Sequence, residues 1–173
     1  MRYSITVTNN MMNYFSILAF VLLFSFHGEA QKIRSCDSVP ALNSEILRVL
    51  KPYMGQKILR GECWDVLSVA LNETHATWNG YDVFGTSYDY KKECIAPGDI
   101  IAFKGVKFGG MQNGTKYFET MEKHFAVVKE VKENGELVLW HQNTGRFGRK
   151  LGESSIFLGD LKKGKMEFFR PQR

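Results

Sequence analysis

Every helical pattern in this chain precedes every strand pattern, and that order restricts the fold more than any other feature. In "SEILRVLKPYMG", Ile46, Leu47, Val49 and Leu50 form a helical apolar stripe, with Asn43 or Ser44 placed to cap it and Pro52 and Gly55 to end it. A second helix is predicted in "GECWDVLSVAL", where Cys63, Val66, Leu67, Ala70 and Leu71 recur at spacings of three and four on one face. Glu62 supplies negative charge to its first turn. The stretch "NETHATWNGYDVFGTSYDYKKECIAPG" lacks clean periodicity and reads as a long loop with a short strand or turn at most. From Pro97 the pattern changes to strands. "PGD" turns into "IIAFKGVKF", "GGMQNGTKYFETM" reads as a hairpin bending near Asn113-Gly114, and "HFAVVKEV" passes through a Glu133-Asn134-Gly135 turn into "ELVLWHQN" before "KMEFFRP". Parallel sheets need alternating βαβ units, so this order implies an α+β fold with N-terminal helices packed on an antiparallel sheet of about five to six strands. With 44% hydrophobic and 13% aromatic residues, the chain can build one core of ordinary size.

Residues 1–30 are set apart as a signal peptide, leaving 31–173 as a single domain. "YFSILAFVLLFSF" (Tyr14 to Phe26) is an uncharged apolar run that ends in Gly28-Glu29-Ala30, a small-x-small pattern suited to cleavage before Gln31. Only Arg2 precedes the run as a basic residue, and Met11 or Met12 can serve as the start. The rival is an uncleaved anchor, but a spanning helix needs roughly 20 apolar residues and this run is shorter. The expectation is therefore an exported product, secreted or periplasmic, with no membrane span after cleavage. Its net charge of +5 favours loose contact with anionic polymers or surfaces. The basic residues are scattered and no base-reading motif is present, so nucleic acid is not an expected partner; a monomer is.

Cysteine arithmetic bears on the site. An oxidising compartment favours disulfides, and Cys36, Cys63 and Cys94 leave at least one thiol over. A Cys36–Cys94 pair closes a loop worth roughly 4 kcal/mol in the chain-entropy model and leaves Cys63 free. Other pairings, or three free thiols, also fit the sequence.

Three titratable residues stand at particular places on this scaffold. Cys63 opens a helix, His124 opens the strand "HFAVV", and His141 lies near the end of "LVLWHQN". Alternation keeps His124 in phase with Ala126 and Val128, and His141 with Leu137, Leu139 and Asn143, so both imidazoles are predicted on one face, toward the helix. A helix N-terminus and a neighbouring imidazolium together lower a thiol pKa to roughly 3.5–7.5, giving a thiolate at neutral pH. In this reading Cys63 is the nucleophile, His124 the proton carrier and His141 the group that orients it. Asn143 is the substitute on the same strand face and Gln142 a further candidate. The Cys63 N–H and one unidentified donor would hold the oxyanion.

The order of a helix-borne Cys-Trp, a Pro-Gly-Asp strand, a His-opened strand and a polar-tipped strand resembles the papain-like cysteine peptidase fold. Within it, the chain is similar to the NlpC-type endopeptidases and CHAP amidases of bacterial cell-wall turnover. It is still more similar to the cysteine-protease-like domain at the C-terminus of fungal myosin-tail-interacting SH3 adaptor proteins and their bacterial relatives. That likeness rests on "RGECWDVLSVAL", "PGDIIAF", "HFAVV" and "LVLWHQNTG" and runs from about Lys51 to Pro171. It implies a Cys-His-His hydrolase that cleaves an amide bond, in peptidoglycan stem peptides or small peptides, without a cofactor. The alternative it implies is a non-catalytic peptide-binding or adaptor module on the same fold. The chain departs from the NlpC pattern in having Glu62 before the cysteine and Trp64-Asp65 after it. Lys57 stands where papain carries its oxyanion glutamine.

Blander readings accompany each residue. Cys63 alone reads as a buried core thiol, and each histidine alone as a strand-end side chain bonded to a carbonyl. No paired C-x-x-C or H-x-x-x-H spacing supports a metal site. Trp64, Trp78 and Trp140 read as core or groove wall, with Trp64 a candidate substrate contact; Asp65 and Asp99 read as local caps or turn residues. Arg146, with Arg149 and Lys150 in "TGRFGRKLG", reads as a solvated basic loop or as a grip on a substrate carboxylate. Asn72-Glu-Thr and Asn113-Gly-Thr fit the glycosylation sequon.

Overall fold

The computed structural model describes residues 33–112 and 114–173. The signal-peptide reading of residues 1–30 and the sequon at Asn113 lie outside the described residues. Helix α1 spans Ala41–Leu50 and buries Leu42, Ile46 and Leu50, one turn apart along a single stripe; α2 spans Cys63–Glu73 and buries Val66, Leu67, Ala70 and Leu71. A short 3-10 turn, Lys51–Tyr53, ends α1 at Pro52, as expected from a residue that cannot continue the helical bond ladder. The start of α1 differs from expectation. Pro40, not Asn43 or Ser44, occupies the capping position, because Asn43 is fully buried and used elsewhere.

Six strands follow: β1 Thr86–Tyr88, β2 Ile100–Gln112, β3 Thr115–Val131, β4 Glu136–His141, β5 Gly152–Phe157 and β6 Leu161–Arg170. They form one antiparallel sheet in the order β1-β6-β2-β3-β4-β5. The expected α+β class and strand number hold. Strand limits differ in two ways. Gly109 and Gly110 do not break the ladder but pair with Phe118 and Tyr117, so the two predicted segments on each side of the bend fuse into one long hairpin. Strand β5 was not anticipated, since "GESSIF" offers only Ile156 and Phe157 as apolar markers after a basic loop.

Alternation along the strands divides the apolar side chains between two cores. On one face Ile100, Ala102, Phe125, Val127, Trp140 and Phe169 meet Ile46, Leu50, Val66, Leu67 and Leu71 of the helices. On the other, Ile101, Phe103, Phe108, Ala126, Val128, Leu137, Leu139, Ile156 and Phe168 pack together with Ile33 and Tyr90. Each fully buried Leu, Ile or Phe contributes about 1.5–3 kcal/mol relative to exposure.

The Pro97-Gly98-Asp99 turn is a junction between these layers. Asp99 is fully buried and accepts from Ala96 N–H at 2.8 Å, Tyr88 Oη at 2.6 Å, Asn43 Nδ2 at 2.9 Å and Arg170 Nη2 at 2.9 Å. That network joins α1, β1 and β6 to the start of β2. Gly98 has φ of 85°, and a Cβ there would lie 2.5 Å from the Asn43 carbonyl oxygen, so the close approach of α1 requires glycine. Arg170 Nη2 also donates to Cys94 O at 2.7 Å, beside a disulfide between Cys36 and Cys94. This pairing, one of those open to the sequence, leaves Cys63 as the free cysteine. Among the described residues no helix is long and apolar enough to cross a membrane.

Candidate active site

Cys63 is the first residue of α2, and several contacts fix where that helix begins. Gly61 turns the chain with φ of 89° at a point where a Cβ would lie 2.6 Å from Arg149 Cβ. Asp65, three residues into the helix, accepts the Glu62 N–H at 3.0 Å and pairs with Arg60 at 2.9 Å. Arg149 and Asn143 both hold the Glu62 carboxylate, at 3.2 Å and 2.7 Å. The half-buried Cys63 thiol lies beside β3, where the Phe125 N–H bears on it.

His124, adjacent to Phe125, and His141, at the end of β4, share one face as alternation predicts. That face is not the one toward the helices. Phe125 and Trp140 point to α1 and α2, whereas the imidazoles are in phase with Phe103, Ala126 and Leu139 of the second core. The flank of α2 packs on Phe125 and Val127, while its first residue, Cys63, lies at the edge of that contact, so that Cys63, His124 and His141 line one cleft. His124 Nε2 lies 2.8 Å from His141 Nδ1, and His141 Nε2 lies 2.6 Å from Ser154 Oγ on β5. The two rings stand edge to face, centroids 5.0 Å apart, with Phe147 against the far side of His141 at 6.1 Å. His124 Nδ1 is the ring nitrogen that this bond leaves unused.

Burial dominates the electrostatics. His124 is 6% exposed and His141 1% exposed, and loss of water disfavours their cationic forms. It brings His124 down to about 4 and, with His124 as neighbour, His141 down to about 3. Burial also pushes the Cys63 thiol up, against the N–H groups of Phe125, Trp64 and Cys63 itself. These shifts all favour the neutral forms, a thiol beside two neutral imidazoles. The expected thiolate, which required a cationic neighbour, does not follow from this setting.

The remaining candidates separate. Gln142 is fully buried and turned toward the backbone of Ile58 and Glu62, so it cannot orient His124; it anchors the segment leading into α2. Asn143, in the left-handed region with φ of 61°, is occupied with Glu62 at the cleft rim and does not replace His141. Arg146 lines the cleft across from Glu119, whose carboxyl is raised by burial and drawn back by that guanidinium. The cleft measures about 680 Å³. Trp64 belongs to a second cavity of about 390 Å³ that Cys63 also lines, formed with Tyr81 and Phe125, and its ring is tilted 48° against that of Trp78, centroids 5.4 Å apart. Glu62, Cys63 and Lys123 line both cavities, so the thiol lies where two recesses meet.

Ser154 escaped the sequence reading, as did the close turn at Gly61 and the hold of Arg149 and Asn143 on Glu62. The one signal for Ser154 is its phase with Ile156 in a strand that the sequence did not reveal.

A family model described as the AIM3/BBC1 cysteine proteinase-fold domain matches residues 41–173, taking in α1 as well as the stretches that carried the resemblance. No curated protein matches the chain. A solved structure described as "The crystal structure of Ly7917" is 15% identical with a TM-score of 0.44 over 73% of this chain. The chain covers 62% of that one, and nothing about activity is drawn from it.

Proposed function

Since the chain belongs to the AIM3/BBC1 cysteine proteinase-fold domain family, we propose that it is a cysteine hydrolase cleaving an amide bond in a peptide. The observation that carries this reading is the relay from His124 to His141 in the cleft that Cys63 lines. Cys63 attacks the carbonyl carbon as His124 Nδ1 takes the thiol proton, so nucleophile and base ionise together during attack. The tetrahedral oxyanion forms at the N-terminus of α2, where the Cys63 N–H is free of intrahelical bonding. Its collapse breaks the C–N bond, and His124 returns the proton to the departing amine. Water, deprotonated by the same nitrogen, then releases the acid from the thioester.

The recesses flanking Cys63 suit an extended peptide, with Trp64, Tyr81 and Phe125 facing one part and Arg146 placed for a carboxylate in the other. Peptidoglycan stem peptides and other small peptides fit that description. Export through residues 1–30 to an oxidising compartment accords with the Cys36–Cys94 disulfide, and the protein acts as a monomer.

The raised thiol supports a second reading, in which the same cleft binds a peptide without cleaving it. The deciding experiment incubates the full chain and Cys63→Ala with stem peptides and a mixed peptide library, then counts new amino termini by mass spectrometry. Cleavage by the native chain alone supports the hydrolase. Retention of peptide by both proteins, with no new termini, replaces it with the binding module.

A further inference from the structure

Two neutral imidazoles joined at 2.8 Å can share only one proton between the facing nitrogens, so their tautomers are not independent. If His124 carries its proton on Nε2, it donates to His141 Nδ1, and His141 must carry its own on Nε2. If His141 carries its proton on Nδ1, it donates to His124 Nε2, and His124 must carry its proton on Nδ1. The mixed combinations set donor against donor or lone pair against lone pair. Only the first arrangement leaves a lone pair on His124 Nδ1, and a base needs that lone pair.

Ser154 Oγ meets either arrangement, accepting from His141 Nε2–H in the first and donating its O–H to the Nε2 lone pair in the second, but its loss weighs more heavily on the first. In the productive arrangement His141 presents an N–H at Nε2, and a nearly fully buried N–H without an acceptor is among the costliest polar defects. Ser154 Oγ lies 2.6 Å from that nitrogen. Because Ser154 also lines the cleft, its own O–H can turn to solvent while its oxygen accepts from the ring. The depressed ring pKa values keep both histidines in the neutral state where this selection operates.

We infer that Ser154 is a positioning residue: as the acceptor of the His141 Nε2–H it makes accessible the tautomers that leave His124 Nδ1 able to take the Cys63 proton. This rests on the hydrolase reading for its catalytic meaning, but the tautomers can be read without it. Ser154 acts through His141, and its effect is transmitted through two rings on adjacent strands. A hydroxyl on the β5 edge thus completes a relay of Cys63, His124, His141 and Ser154 across α2, β3, β4 and β5.

The test is two-bond 15N–1H correlation spectroscopy of the imidazole nitrogens in the full chain at neutral pH. Both His124 and His141 are expected as Nε2–H in the native protein and in Ser154→Thr, which keeps the hydroxyl. Ser154→Ala is expected to move both rings toward Nδ1–H and to slow amide cleavage at least about tenfold, with Ser154→Thr restoring it. Native rings in the Nδ1–H form, or rings unmoved by Ser154→Ala, would overturn the inference. Should Ser154→Ala fail to fold, the native and Ser154→Thr spectra still decide: any departure of either from Nε2–H counts against it. Absence of cleavage by the native chain would sink the hydrolase reading alone, leaving the tautomer result standing.

Discussion

Gln142 and Ile58 are joined in both directions: the Ile58 N–H donates to Gln142 Oε1 at 3.1 Å, and Gln142 Nε2 returns a bond to the Ile58 carbonyl at 3.1 Å. The same Nε2 donates to the Glu62 carbonyl at 2.7 Å. Because Gln142 directly follows His141, the end of β4 and the approach to α2 are bonded to each other. The position of the nucleophile and that of the relay are thereby set by one buried amide.

Replacing Gln142 with Leu keeps much of the volume and strands the buried Ile58 N–H and its carbonyl partners. The expected loss is about 1–3 kcal/mol for each group left unpaired, read as a lower urea midpoint. Amide hydrogen exchange at Ile58 should rise together with alkylation of Cys63 as the start of α2 loosens. An unchanged midpoint with unchanged exchange at Ile58 would contradict this role.

Iodoacetamide alkylation of Cys63, followed by mass spectrometry across pH, should show one rise, above the ordinary thiol value of about 8.5. The sign follows from burial, which favours the neutral thiol. A plateau of alkylation persisting into acid would instead reveal a thiolate held by a cationic His124.

Stability should fall in acid through the buried imidazoles. Unfolded histidines titrate near 6.5, whereas His124 and His141 are depressed to about 4 and about 3. Between those limits the unfolded chain binds more protons than the folded one. The stabilising contribution is therefore complete above the unfolded value and is lost as pH falls, on the order of a few kcal/mol in total. Urea midpoints from neutral pH downward should track this window, and the slope should shrink in His124→Gln combined with His141→Gln. Equal slopes would show that other groups control acid unfolding.

Removing the Cys36–Cys94 bridge by a double change to Ser should lower stability by about 2–5 kcal/mol, chiefly through a less restrained unfolded chain. The bond lies with Arg170 at the Asp99 junction, away from the cleft, so the pH profile of Cys63 alkylation should keep its shape. A changed profile would mean that the junction also governs the site.

Much of this was legible in the sequence because it depends on periodicity. The stripe of Val66, Leu67, Ala70 and Leu71 announced α2, and the alternation through "HFAVV" and "LVLWHQN" placed His124 and His141 on one face. Which face could not be read, since both sides of the sheet are apolar and a period of two does not say which side the helices cover. Asn43 shows a second limit. Its type suits a cap, but a contact 56 residues away to Asp99 takes it inside. Ser154 and Gln142 show a third, because small polar side chains acquire meaning only from partners that tertiary pairing brings near. The setting of Cys63 shows a fourth limit: helix position is local, whereas the burial that raises its thiol is a property of the whole fold.

The relay runs across the strands rather than along them, with His124, His141 and Ser154 drawn from β3, β4 and β5 in turn. Descendants of this chain are therefore free to lengthen the Glu133–Gly135 turn, which lies away from the cleft, without disturbing the chemistry. A single residue inserted or deleted inside β4 would rotate its imidazole to the helix side and disconnect both neighbours at once. Kinship in this family should accordingly be sought in conserved register, with the distances between motifs left to drift.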